Sequence, residues 1–294
     1  MSLKDTPHQE RRSAPSKLYQ DRTAAPRGRE RRKKPRVVRN EKVRAVIPMS
    51  RLGGMANACL SRDETVKVME DAIAGRLAGL QQPLYMSSTN GQVLSMFARN
   101  RRIRTLFEQV DVLSADGQPM VTISRYLSSR PLPERVATTD LFDDASRLLP
   151  EGTTYFMLGS TPDEIERAAA VVRRKYPRIR LVGYAHGYMD ADSEEALLRR
   201  LEELRPDILW IGLGVPREQD FVSRNMGRLA SVKVIKTSGG LFNFISGTNR
   251  RAPAWMQRLG LEWLYRTILE PRRLLWRYLT TNPHSLFLLL TRTR

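Results

Sequence analysis

Between Thr153 and Thr237 the chain alternates between short apolar runs and longer helical stretches, and few folds accept that pattern. The apolar runs are Thr153–Leu158, Ile179–Tyr184, Pro206–Gly212 and Val232–Thr237. The segments between them, Asp163–Tyr176, Ser193–Leu204 and Glu218–Leu229, carry helical periodicity, with Ser193 placed to cap the second. Strands separated by helices of roughly ten to fifteen residues predict parallel pairing by crossover connections. The first half reads the same way with weaker contrast. Ser61-Arg-Asp-Glu64 is a capping box that opens a helix running to about Leu80. A strand over Pro83–Asn90, a helix over Gly91–Arg101 and a strand over Val110–Ala115 follow. The expected fold class is therefore α/β, a Rossmann-like, mostly parallel sheet with helices on both faces. No internal repeat is visible.

In such sheets ligands bind outside the carboxyl ends of the strands. Those ends fall at Ser88-Thr-Asn90, Asp116-Gly117, Gly159-Ser160, Gly187-Tyr188, Gly214-Val-Pro216 and Gly239-Gly240. Small residues there admit a ligand to the backbone, and helix N-termini behind them favour anionic groups, as a nucleotide diphosphate requires. The dinucleotide fingerprint is incomplete at Gly212-Leu-Gly214, and no Walker-type Gly-Lys-Ser/Thr occurs, so a nicotinamide enzyme is poorly supported. Asp116 before Gly117 fits a turn residue as well as a catalytic carboxylate.

The formal net charge of +19 is unevenly placed. Residues 1–44 carry a net +10 and residues 248–294 a net +7, which leaves +2 for residues 45–247. A protein built to grip nucleic acid would spread basic residues over its folded face. Basic ends on a near-neutral middle fit an anionic surface instead, lipid headgroups or polyphosphates. The rival class, a polyanion- or nucleic-acid-binding protein without catalysis, is disfavoured on that ground. Cys59 is the only cysteine, so no intramolecular disulfide forms within one chain. His8, His186 and His284 have no metal-ligand spacing, and no apolar run of about 18 residues is present to span a membrane.

Three segments are expected: a basic tail over residues 1–42 that cannot build a core, an α/β core over 43–247, and a helical appendage over 248–294. In the appendage, Trp255 to Tyr278 has helical propensity interrupted at Pro271. Trp255, Trp263, Trp276, Leu259 and Ile268 mix there with Arg266, Arg272, Arg273 and Arg277, and Ser285–Leu290 adds more apolar surface. Rings, aliphatics and arginines in one segment suit a membrane interface. They also suit a helical hairpin packed on the core with solvated arginines.

The order of motifs resembles the WecG/TagA/CpsF glycosyltransferase family over roughly residues 45–280. The matching pieces are Ser88-Thr-Asn90, Ser114-Ala-Asp-Gly-Gln-Pro-Met120, Glu134-Arg-Val-Ala-Thr-Thr-Asp140, Phe156-Met-Leu-Gly-Ser160, Gly183-Tyr-Ala-His-Gly-Tyr188 and Ile211–Gln219. The most specific block is Arg251-Ala-Pro-Ala-Trp255 with Gly260-Leu-Glu-Trp-Leu-Tyr-Arg266 and Glu270-Pro-Arg-Arg273. The resemblance implies transfer of a sugar from a UDP-sugar, commonly UDP-N-acetylmannosamine, to a polyprenyl-diphosphate-linked saccharide. It implies inversion to a β-linkage without a metal or other cofactor, at the inner face of the bacterial cytoplasmic membrane. It makes Asp116 the general base. It makes Ser88, Asn90, Gly117, Gly187, Gly214, Gln219, Gly239 and Gly240 the lining of the donor pocket. Arg266, Arg272, Arg273 and Arg277 would then act on the diphosphates. The implied partners are the two substrates and an anionic membrane surface; nucleic acid is not among them, and homo-oligomerisation is left open. The family's Asp-x-Asp-free character agrees with Asp190-Ala-Asp192 being the start of a helix. Two departures stand out: Ser88 replaces a threonine, and Glu218-Gln219 reverses the usual Gln-Glu order. The basic N-terminal tail is outside the family pattern.

Overall fold

The computed structural model describes residues 40–77 and 79–294. The expected basic tail lies outside the described residues as far as residue 39; the chain is already helical from Glu41. A short helix α1 (Glu41–Val46) leads into a hairpin of β1 (Met49–Leu52) and β2 (Met55–Ala58). Gly53 and Gly54 turn it with φ of +56° and +91°, a left-handed path that a side chain resists. Helix α2 (Arg62–Ile73) starts at the predicted capping box, with Ser61 and Glu64 bonded reciprocally.

The main sheet follows. Strand β3 (Leu84–Thr89) leads to α3 (Gly91–Arg99) and α4 (Arg101–Phe107), then to β4 (Val112–Ala115). The single helix expected over Gly91–Arg101 is two, because Asn100 leaves the helical path. Its backbone closes α3, and its side chain caps α4 by accepting from Arg102 N and Ile103 N. Helices α5 (Gln118–Leu127) and α6 (Thr138–Leu148) precede β5 (Thr154–Gly159), α7 (Pro162–Lys175) and β6 (Arg180–Ala185). Then come α8 (Ala191–Leu204), β7 (Ile208–Gly212), α9 (Arg217–Asn225), β8 (Val234–Thr237) and α10 (Leu241–Ile245). Helix α8 begins earlier than predicted: Asp190 is its cap, and Ser193 is the third residue that answers it. An aspartate accepts as well as a serine at this position and adds a charge that favours the helix N-terminus.

All five strand pairs of the main sheet are parallel, in the order β4-β3-β8-β7-β5-β6. Alternate residues of each strand feed two apolar layers. On one face Tyr85, Leu113, Phe156, Leu209 and Ile235 pack under α3, α5, α8 and α9. On the other Met86, Val112, Tyr155, Trp210 and Val234 pack under α2, α6 and α7. Phe142 of α6 meets Trp210 edge-on at 4.8 Å in the second layer. The expected doubly covered parallel sheet is what forms.

The C-terminal segment forms α11 (Ala254–Arg258), α12 (Glu262–Leu269) and α13 (Pro271–Arg292). Pro271 opens α13 instead of breaking it, as its missing N–H allows at a first helical turn. Helix α13 lies along α3. Its last turns are buried: Leu288 and Leu289 join the first apolar layer, Gly54 N donates to Arg292 O, and Arg294 N to Arg51 O. Its other face leaves Leu275, Trp276, Leu279, Leu286, Phe287 and Leu290 exposed. No described helix is long and apolar enough to cross a membrane.

Candidate active site

The carboxyl ends of β4, β3 and β8, three neighbouring strands on one side of the sheet, lie together. Strand β3 stops where Asn90 turns the chain and caps α3, its Oδ1 accepting from Val93 N at 3.0 Å. Beside it, Asp116 N donates to Thr89 O at 2.7 Å, so the ladder carries one residue past β4 and fixes Asp116 at the edge. Thr138 at the start of α6 donates its N–H (3.4 Å) and its hydroxyl (3.3 Å) to Asp116 Oδ2. Asp116 keeps part of its surface open while its carboxyl is hemmed in by protein. Burial pushes its pKa up to about 6, against the opposing pull of Arg135, the Thr138 N–H and Lys236, with Glu262 adding to the rise. Such a group is ionised at neutral pH yet basic enough to take a proton.

Ser88 is the one partly exposed residue of β3, and its hydroxyl is taken up by protein partners. Its Oγ lies 3.1 Å from Thr138 Oγ1 and accepts from Lys236 Nζ at 2.9 Å. Lys236, on β8, is fully buried, and burial lowers its pKa to about 8 although Glu218 and Asp116 oppose the shift. Glu218 and Gln219, both buried on α9, sit behind the neighbouring strand ends. Glu218 Oε2 accepts from Gly214 N (3.2 Å) and Gly239 N (3.0 Å), which ties the two glycine turns together. Burial raises the Glu218 carboxyl above its ordinary range. Gln219 Nε2 reaches Glu218 Oε1 (3.2 Å) and Ser87 Oγ (3.4 Å), while its own Oε1 is buried without a donor among the described residues.

The terminal block closes over this edge. Gly260 (φ +72°) sits against the start of α5, where a Cβ would stand 3.0 Å from Gln118 Cβ, two residues past Asp116. Glu262 at the start of α12 pairs with Arg135 at 3.2 Å. Arg251 pairs with Asp140 and bonds Gln257 at 2.7 Å. The Arg266 guanidinium stacks 5.4 Å from the Phe244 ring of α10, one turn beyond Gly240.

The structure thus brings Asp116, Ser88, Asn90 and Gly117 together with the terminal block, and links Gln219, Gly214 and Gly239 through Glu218. Gly240 begins α10 beneath Arg266. Gly187 belongs to the next strand ends, donating to Ser160 O at 2.9 Å and accepting from Arg217 Nη2 at 3.2 Å. Arg272 is exposed on the first turn of α13, and the Arg273 side chain is outside the described residues. Arg277 stacks 4.8 Å from the neighbouring Tyr278 ring and leaves a buried Nε unpaired. Neither Arg272 nor Arg277 has a hydrogen bond to Asp116 or to the glycine turns among the described residues. Sequence reasoning gave no role to Lys236, Thr138, Arg135 or Glu218, although Glu218 was noted beside Gln219 and the middle two lie in a quoted motif. The first had a signal: a lysine inside an apolar strand needs a partner to be buried. An open cleft of about 520 Å³ between Arg51, Gly54, Phe97, Arg104 and Arg292 lies at the far end of α13 and touches none of these residues.

Comparison with known proteins gives this arrangement a context. A Staphylococcus aureus (strain MRSA252) protein named N-acetylglucosaminyldiphosphoundecaprenol N-acetyl-beta-D-mannosaminyltransferase is 27% identical over 192 residues, covering 65% of this chain and 74% of the relative. Its namesake in strain NCTC 8325 / PS 47 is 26% identical over the same length. A model of the glycosyl transferase WecG/TagA/CpsF family matches residues 50–294, from the β1–β2 hairpin to the end of α13, and the chain belongs to that family.

Proposed function

We propose that this glycosyltransferase moves an N-acetylmannosamine or related hexose from a UDP-sugar to a polyprenyl-diphosphate-linked saccharide, inverting the anomeric centre. The observation that carries the reading is the Asp116 carboxylate. It is held at the sheet edge with one oxygen bonded by Thr138, raised toward neutrality by burial, and walled by the terminal block. The names of the relatives suggest the sugar and the acceptor.

Asp116 takes the proton of the acceptor hydroxyl as that oxygen attacks the anomeric carbon, and the bond to UDP breaks with its electron pair. Gly214, Gly239 and Gly240 keep their strand ends bare enough for the donor, Gly117 is close only to Asn90 and Met120, and Gly187 lets Leu213 pack where a side chain would stand, with Ser88, Asn90 and Gln219 shaping the edge. Negative charge growing on the diphosphate is met by guanidinium groups. Arg266 is already at the edge, and Arg272, Arg273 and Arg277 arrive from α13 when the substrate binds.

The exposed apolar face of α11–α13 supports a peripheral seat on an anionic membrane at the cytoplasmic side. Trp255, Ile268 and Trp276 are 55%, 67% and 75% exposed. Rings beside arginines fit the headgroup layer.

UDP release is measured with UDP-N-acetylmannosamine and polyprenyl-diphosphate-linked N-acetylglucosamine. Asp116→Asn should lower the rate by about 10²- to 10⁴-fold, the usual contribution of a positioned base. An unchanged rate removes Asp116 from the chemistry.

A further inference from the structure

Lys236 stands fully buried in the middle of the sheet, and the reaction above gives it no part. A lysine ammonium only donates hydrogen bonds. Its Nζ donates to Ser88 Oγ at 2.9 Å and to Thr237 O at 2.7 Å. Ser88 has a lone pair taken by this donor, and its own hydrogen is free for Thr138 Oγ1, 3.1 Å away. The Thr138 hydroxyl in turn donates to Asp116 Oδ2 at 3.3 Å, beside the Thr138 N–H at 3.4 Å. With a donor-only group at one end and an acceptor-only carboxylate at the other, every hydrogen in the chain runs one way, from Lys236 to Asp116.

From this directed chain, we propose that Lys236 is a positioning residue for the general base. Through Ser88 and Thr138 it holds Asp116 Oδ2, so that Oδ1 is the oxygen presented to the acceptor hydroxyl. The inference rests on Asp116 being the base. It also gives the Ser88 hydroxyl a role on the protein side of a strand end that stays partly exposed. Networks of this kind fix orientation because each hydroxyl is held between a donor and an acceptor.

Other charges act on both ends. Glu218 of α9 faces Lys236, and Asp116 is faced by Arg135 ahead of α6, Arg251 ahead of α11 and Glu262 of α12. Among the described residues Lys236 is therefore one of three cations favouring ionised Asp116, and the one joined to it by a bonded chain.

The test is the pH profile of kcat/KM, with kcat and KM separated, for wild type, Lys236→Met and Thr138→Val. UDP-N-acetylmannosamine and polyprenyl-diphosphate-linked N-acetylglucosamine are the substrates. Lys236→Met removes a cation and the origin of the chain, so the acid limb should move to higher pH and kcat should fall more than KM rises. Thr138→Val leaves every charge in place and cuts the chain. It should lower kcat on the order of 10-fold or more, with KM little changed, and also raise the acid limb. A Lys236→Met protein that loses activity with its acid limb unmoved marks a merely structural lysine and overturns the proposal. A folded Thr138→Val protein with the wild-type profile overturns it too, and that variant decides the matter if Lys236→Met does not fold. Full activity in Asp116→Asn would instead remove the base itself, an outcome the chain variants do not mimic.

Discussion

Replacing Glu262 with Gln tests whether the C-terminal block sets the chemistry of a carboxylate far earlier in the chain. Glu262 pairs with Arg135 at 3.2 Å, and its charge disfavours ionised Asp116. Asp116 titrates at about 6, chiefly because it is buried. A group with that pKa is roughly 90% ionised at pH 7 and roughly a quarter ionised at pH 5.5. Glutamine keeps the volume and removes the negative charge. It also releases Arg135, the strongest of the charges favouring the ionised form. Both effects push the Asp116 pKa down. A fall of about half a unit makes the base roughly half ionised at pH 5.5. The ratio of kcat/KM at pH 5.5 to its own plateau near pH 7.5 then doubles, about, while the value at pH 7 changes by less than roughly 10%. Taking each enzyme's own plateau as reference cancels any loss from a loosened α12. The assay is UDP release across pH 5–8. An acid limb that stays in place, or moves to higher pH, refutes the reasoning. Arg135→Met supplies the opposite sign: with the favouring cation gone, its limb should move up.

Two further outcomes are expected. Leu288→Ala, at the buried end of α13, should lower stability to urea by about 2–5 kcal/mol, whereas Trp276→Ala, 75% exposed on the same helix, should change it by no more than about 0.5 kcal/mol and reduce flotation with phosphatidylglycerol vesicles; flotation equal to wild type would remove Trp276 from membrane contact. On the proposed metal-independent transfer, chelation by EDTA should leave turnover intact, since Arg135 and Arg251 already face Asp116; activity lost to EDTA and restored by a divalent ion would contradict that.

The parallel sheet was legible because buried strands are written as unbroken apolar runs, and their polar, glycine-rich endings pointed to a candidate edge. The β1–β2 hairpin was not, since each strand has only four residues and no alternation long enough to read; its Gly53-Gly54 turn was the available hint. Asp116 could be reached by resemblance, but its environment could not. The groups that tune it come from β8, the start of α6 and α12, which only the fold assembles. Thr138 and Arg135 lay inside a motif already quoted, yet sequence order gives no sign that one bonds the carboxylate and the other pairs with Glu262. The C-terminal apolar residues illustrate the same limit. Leu288 and Leu289 are core while Leu286, Phe287 and Leu290 are surface, a division set by which side of α13 meets α3.

Helix α13 also bears on how the molecule is made. Its final residues pair with Arg51 and Gly54 near the other end of the chain, and its leucines complete the layer beneath β1. A nascent chain emerging from the ribosome cannot close that layer until Leu288 to Arg294 have been released. The candidate site, whose outer wall runs into the same helix, waits on the same residues. A chain that stops short loses more than its outer arm: it exposes apolar surface under the hairpin and becomes prey for aggregation or proteolysis.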